Sequence, residues 1–274
     1  MSEAGEPLAR VAAALERLIA PAAGEPDWGA APAYIWDGSA RAVPAISAPT
    51  LALLRGIDPQ KALVIANIER LAAGHAAHDM LLWGARGMGK SALLRSCVIA
   101  AQAAAPNALA LVQIGPEALS TLPALFATLA QSQRRFVVFI DDLGFADGDS
   151  EGPRRLRSWL EGGVEARPAN VRLAVTANRR AIVARQLAEY DDPINPRDVI
   201  DDRLALADRF GLSVGFHNCS QDDYLGIVSG YCDAYGLTWS EPQALEWAKR
   251  RGARSGRVAW QFVNELAGQA GKSL

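Results

Sequence analysis

Five short, almost wholly apolar runs, Met80 to Trp83, Leu109 to Ile114, Phe136 to Ile140, Val171 to Val175 and Leu212 to Phe216, recur along the chain with helical stretches between them. A strand that is apolar at nearly every position has no face to offer water, so it belongs in a sheet covered on both sides. Cover is available: helices are predicted over Lys90 to Gln102, Leu122 to Gln131, Arg154 to Leu160 and Ala181 to Leu187. Such helices also make the long crossovers that parallel pairing needs. The alternation therefore predicts an α/β fold, a largely parallel sheet between helical layers, with function at the carboxyl ends of its strands.

Other segments frame this unit. A helix is predicted from Asp58, with Pro59 in its first turn, to Gly74. Beyond Phe216 the pattern is wholly helical, through DDYLGIVSGYCDAYGL, EPQALEWAKRRG and GRVAWQFVNELAG, which predicts a small helical subdomain. Trp239, Trp247 and Trp260 in it are read as core residues. Residues 8 to 19 carry apolar positions at helical spacing. The next thirty residues are rich in Pro, Gly and Ala and read as an extended or irregular arm. Trp28, Tyr34 and Trp36 are costly to expose together, so the arm is expected to lie against the body, with a partner-binding patch as the competing interpretation. The expected organisation is an N-terminal helix and arm over 1–49, an α/β domain over 50–216 and a helical subdomain over 217–274.

Composition narrows the function. A chain of 274 residues that is 50% apolar can bury a sizeable core in one large domain and one small one. A net charge of -2 gives no bulk attraction to nucleic acid. No stretch reaches the roughly 18 apolar residues of a membrane span, and the first residues, MSEAGEPLAR, lack the features of a secretory signal, so a cytoplasmic location is expected. Cys97, Cys219 and Cys232 are scattered and read as buried thiols. His75 and His78 read as part of a surface turn rather than a metal site.

The chemistry concentrates at Gly84-Ala85-Arg86-Gly87-Met88-Gly89-Lys90-Ser91, between a predicted strand and a predicted helix. This is the G-x-x-x-x-G-K-[ST] spacing of a phosphate-binding loop, and it stands where that loop must stand. Glycines let the backbone turn and aim successive N–H groups at phosphate oxygens, and the helix start adds the positive end of its dipole. Lys90 would reach the β and γ phosphates of a nucleoside triphosphate, most simply ATP, and the Ser91 hydroxyl would join the shell of its Mg2+.

The run FVVFI delivers Asp141 and Asp142 to the same edge of the sheet. Asp141 is the candidate for the magnesium shell and Asp142 for polarising the attacking water. Another strand, VRLAVTAN, ends in Thr176 and Asn178. An amide there could hold that water or read the γ phosphate, or both residues could simply cap the next helix. Arg209, just before the last strand, and Arg257, opening the last helix, could each bring positive charge to a triphosphate, though spacing alone says little in an arginine-rich chain.

Together these residues resemble the AAA+ class of phosphate-loop ATPases, and more narrowly a bacterial family of AAA+ ATP-binding proteins that carried only a domain-of-unknown-function label. The likeness runs in order through GIDPQKALVIANIERLAAG, LLWGARGMGKSALLRS, FVVFIDDLGFADGD, LAVTANRR, LADRFGLSVGF, SQDDYLGIVSGY and RGARSGRVAWQFVNELAG, over about residues 50 to 270. It implies a phosphate-loop αβα sandwich followed by a helical lid. It implies Lys90 and Ser91 in the phosphate loop, Asp141 and Asp142 in the second acidic motif, and Asn178 as the polar sensor. It further implies Arg209 as an arginine reaching the ATP of an adjacent subunit, and Arg257 as the lid arginine, with Arg254 as the fallback.

Many AAA+ enzymes carry Glu where this chain has Asp142, one methylene shorter, so the expectation is slow Mg2+-dependent ATP hydrolysis coupled to lid movement and subunit contact. The alternatives are an ATP-binding switch with negligible turnover and, from a different class, a small-molecule phosphotransferase. The partners expected are further copies of the chain in a nucleotide-dependent homo-oligomer, with a hexameric ring as one form, and a protein client ahead of nucleic acid.

Overall fold

The computed structural model of the chain describes residues 26–144, 156–160, 167–178 and 208–274. The predicted helices over 8–19 and 181–187 lie outside the described residues; of the helix predicted over 154–160, residues 156–160 are helical.

The arm, read as extended or irregular, takes the extended form in part. It forms two short strands, β1 (Ala33–Trp36) and β2 (Ala40–Val43), paired as an antiparallel hairpin. The five predicted strands follow as β3 (Met80–Gly84), β4 (Leu109–Ile114), β5 (Arg135–Ile140), β6 (Val171–Ala177) and β7 (Leu212–Phe216). All seven form one sheet in the order β2-β1-β4-β5-β6-β3-β7, and every pair except the hairpin is parallel. The arm is thus part of the sheet: β1 adds to β4 with Ala33 opposite Leu111 and Trp36 opposite Ile114.

Buried aromatics and one arginine hold it there. Trp28 packs edge-on to Tyr34 and Phe136, at centroid distances of 4.8 and 5.6 Å. The buried Arg134 guanidinium donates to the carbonyls of Trp28 and Ala31 at 2.8 and 2.7 Å, and to that of Leu109 at 2.9 Å. One side chain therefore joins arm and sheet while satisfying carbonyls that burial would otherwise strand.

Alternation along each strand explains the continuous apolar runs. Phe136, Val138 and Ile140 of β5 join the core on one side, with Leu125 and Phe126 of α3 (Leu122–Leu129). Val137 and Phe139 join the core on the other, with Ile68 of α1 (Asp58–Ala72) and Leu94 of α2 (Lys90–Ala104). Both faces are covered, as the sequence predicts.

Three helices follow the sheet: α4 (Gln221–Tyr235), α5 (Glu241–Arg251) and α6 (Gly256–Gln269). Ser220 and Asp223 form a reciprocal capping box at the start of α4, and Gly236 ends it in the left-handed conformation. Ser255 caps α6 by accepting from the Val258 N–H at 3.3 Å. The helices share a third core that includes Tyr224, Val228, Ala259 and Phe262. Trp239, Trp247 and Trp260 pack against it, half-buried. The architecture is an αβα sandwich with a C-terminal helical lid.

Among the described residues no helix is long and apolar enough to cross a membrane. Cys97, Cys219 and Cys232 are free and buried, and burial pushes the Cys97 thiol up to about 12 and the other two to about 11. His75 and His78 are exposed.

Candidate functional site

The glycine-rich loop leaves β3 at Gly84, whose φ is +127°. A methyl group on that α-carbon would lie 2.0 Å from the Phe216 carbonyl oxygen, which accepts the Ala85 N–H at 2.9 Å. Only glycine lets the ends of β3 and β7 come this close. Gly87 and Gly89 also have positive φ, at 75° and 87°, and turn the loop back onto α2. No side chain caps α2, so its first N–H groups face the loop interior.

Lys90, the first residue of α2, is buried, and its Nζ donates to the carbonyls of Gly84 and Ala85 at 2.8 and 2.9 Å. Burial holds its pKa below the ordinary lysine value. Arg257 and Arg86 push the same way, and Asp142 and Asp141 oppose them.

Ser91 is one residue further along the helix, and its hydroxyl donates to Asp141 Oδ1 at 2.6 Å. Thr176 Oγ1 donates to the same carboxylate oxygen at 2.6 Å and accepts the Asp142 N–H at 2.8 Å. Asp142, just past the end of β5, holds a left-handed φ of 51°, and its Oδ1 accepts a hydrogen bond from Asn178 Nδ2. The carboxyl ends of β3, β5 and β6 therefore bring Lys90, Ser91, Asp141, Asp142 and Asn178 together.

These residues line a cleft of about 870 Å³. The loop and the acidic pair line part of it, and apolar side chains line another part: Leu54 and Ile57 ahead of α1, both beside the loop at Gly89, and Ile227 and Tyr231 of the lid helix α4. Among the described residues, Arg55, Arg86, Lys90, Arg95 and Arg257 line the cleft against the side-chain carboxylates of Asp141 and Asp142, five cations to two. A cationic lining beside apolar side chains suits an anionic ligand with a flat hydrophobic portion.

Arg257 lines this cleft, whereas Arg254 is exposed and is not among the described lining residues. The Arg257 N–H donates to the Gly87 carbonyl at 3.0 Å, and Met88 packs against both the α1–α2 core and the lid core. Arg209 stands apart. It lies three residues before β7, which runs parallel to β3 with Leu212 opposite Met80, so it sits at the amino ends of the strands while the loop sits at the carboxyl ends. Two features of the site were not foreseen from the sequence: the grip of Thr176 on the acidic pair and the apolar side chains that line the cleft. The signal for the first was a hydroxyl inside an otherwise apolar strand.

A glycine loop of phosphate-binding spacing on a mostly parallel sheet, followed by a helical lid, gives the chain a phosphate-loop fold of the AAA+ type. Residues 29–270 match one family throughout, and the chain belongs to it: the family described as protein of unknown function DUF815. No curated protein sequence matches the chain significantly.

Solved structures support the fold. A variant of RuvB from Thermotoga maritima superposes with a TM-score of 0.52 at 16% identity, over 79% of this chain and 63% of that one. The ORC1 protein of Aeropyrum pernix, solved in complex with DNA, gives 0.52 at 14% identity, over 80% and 64%. Domain III of the Thermotoga maritima replication initiation protein DnaA gives 0.50 at 14%, over 80% and 88%. The chain thus spans less than two thirds of that RuvB structure, and at these identities the likeness is one of fold.

Proposed function

We propose that the chain binds ATP with Mg2+ in the cleft between loop and lid and hydrolyses it slowly, using nucleotide state to change the lid and its contacts with neighbouring copies or a client. The observation that carries this reading is the convergence of a glycine loop, a buried lysine, a serine and an aspartate in one cleft that apolar side chains also line. The triphosphate would take the loop N–H groups and the Lys90 ammonium, and the base would take the space beside Leu54, Ile57 and Tyr231.

The donor set fits magnesium. One carboxylate and one hydroxyl leave room for the phosphate oxygens and waters that this ion prefers, and no cluster of three or more His, Cys, Asp and Glu side chains among the described residues competes as an all-protein cage. Ser91 and Asp141 would hold it. When bound, the ion would offset negative charge on the transferring phosphoryl group. Asp142, which lines the cleft and accepts from Asn178, would accept a proton from an attacking water, and Arg257 of the lid would meet the γ phosphate.

The test is phosphate release by purified protein. Wild type should release phosphate from ATP in magnesium buffer, and Lys90→Ala should reduce the rate by at least about a hundredfold; equal rates would reject the assignment.

The contact between Asn178 and Asp142 also favours a second reading, an ATP-binding switch whose water-activating carboxylate stays occupied. Saturable ATP binding without turnover at any protein concentration would select it.

For partners we favour a homo-oligomer and a protein client. The net charge of -2 gives nucleic acid no general attraction, although ORC1 was solved with DNA. Gel-shift assays with and without an ATP analogue separate the two kinds of client.

A further inference from the structure

Thr176 lies outside every role assigned above, yet it has more bonds to the acidic strand end than any residue of the phosphate loop. Its hydroxyl donates to Asp141 Oδ1 and accepts the Asp142 N–H, and its carbonyl accepts the Leu143 N–H at 2.8 Å. A single residue of β6 therefore brackets three successive residues after β5.

Thr176 is 1% exposed, among the apolar neighbours Ala174, Val175 and Ala177. Valine would fill the same volume there, so packing alone does not call for a hydroxyl. A buried hydroxyl is retained at little cost only if both its donor and acceptor capacity are used, and here both go to the acidic pair.

We infer that Thr176 is a positioning residue for the Mg2+ site and for Asp142, an inference that rests on the nucleotide reading above. Asp141 Oδ1 accepts from two hydroxyls, those of Ser91 and Thr176. Ser91 would offer a lone pair to a cation while its O–H goes on donating to Asp141. The Thr176 bond holds the same carboxylate oxygen from β6, so the orientation of Asp141 does not depend on Ser91 alone. The same hydroxyl fixes the Asp142 N–H, and with it the left-handed turn that aims the second carboxylate into the cleft. Coupling both carboxylates through one oxygen makes Thr176 an outer support of the kind that sets ligand orientation at metal sites.

The experiment compares wild type, Thr176→Val and Thr176→Ser. Binding of a fluorescent ATP analogue is followed against Mg2+ concentration, alongside thermal unfolding without ligand. Valine keeps the volume and loses the hydroxyl, so its half-saturating Mg2+ should rise by about tenfold or more while analogue binding without Mg2+ stays near wild type, and the Asp142 N–H left without its acceptor should lower the ligand-free melting temperature as well. Serine keeps the hydroxyl and should restore Mg2+ dependence to within about twofold of wild type.

Equal Mg2+ dependence in valine and wild type, or a serine variant that behaves like valine, overturns the inference. If valine fails to fold, Thr176→Ala set against Thr176→Ser makes the same comparison. A wild type that binds no nucleotide defeats the reading of the site itself, an outcome distinct from failure of Thr176.

Discussion

Four residues of the site, Gly84, Gly87, Gly89 and Asp142, hold positive-φ backbone conformations that most side chains resist. Asp142 sits at φ 51°, a region that Asp tolerates better than most, and its carboxylate is held across the sheet by Asn178. At Gly84 the constraint is harder, since φ +127° and the Phe216 carbonyl both exclude a β-carbon. Gly84→Ala should therefore destabilise the ligand-free protein by about 3 kcal/mol or more, from backbone strain and overpacking together. Gly226 is the control: it lies within α4 with open space where a methyl would go, so Gly226→Ala should be neutral or stabilising by up to about 1 kcal/mol. Urea unfolding of both variants measures the contrast, and similar midpoints would contradict this account of the loop.

At the scale of elements, the far end of the sheet depends on a buried ion pair. Asp79, just ahead of β3, pairs with Arg167 and accepts the Leu173 N–H at 2.7 Å, which ties β3 to β6. Burial raises the Asp79 pKa above the usual carboxylate value, although Arg167, the Leu173 bond and Arg172 pull it down. The folded state therefore holds this proton more tightly than the unfolded one. Its contribution to stability is fully present below the unfolded value and is lost as pH rises through the raised folded value. Arg167→Met removes the main opposing charge, so at pH 7 it should cost about 3 kcal/mol. That loss should shrink as the carboxyl protonates on acidification toward about pH 4. Adding Asp79→Asn, which keeps an oxygen for Leu173, should recover most of the loss at pH 7. Urea unfolding at pH 7 and at mildly acid pH tests both points, and a loss that ignores pH would count against them.

The same scale shows what was legible in the sequence. β3 to β7 could be read because a strand buried on both faces must be apolar throughout, and the phosphate loop because its requirements fall within eight adjacent residues. β1 and β2 could not, since each is four residues long and β1 finds its partner in β4, far along the chain. The grip of Thr176 on Asp141 was hidden in the same way: the hydroxyl is visible in the sequence, but its partner is 35 positions away.

On the scale of the whole molecule, Arg209 and the phosphate loop occupy opposite ends of the strands, about one strand length apart. A residue at that end of the strands is remote from the cleft of its own chain, so the proposed role for Arg209 requires a neighbouring copy. Arg209→Ala should keep ATP affinity within about twofold while losing any rise in specific ATPase rate with protein concentration, a loss of about a thousandfold at full assembly if it acts as an arginine finger. Turnover measured across a dilution series checks this, and an undiminished rise would remove Arg209 from the site.

The bond from Arg257 to the Gly87 carbonyl bears on how force would travel. Since Met88 packs against two cores at once, a pull on the final helix would be delivered straight to the glycine loop, with no intervening linker to absorb it. Shape of the loop and posture of the lid are in that sense a single mechanical quantity.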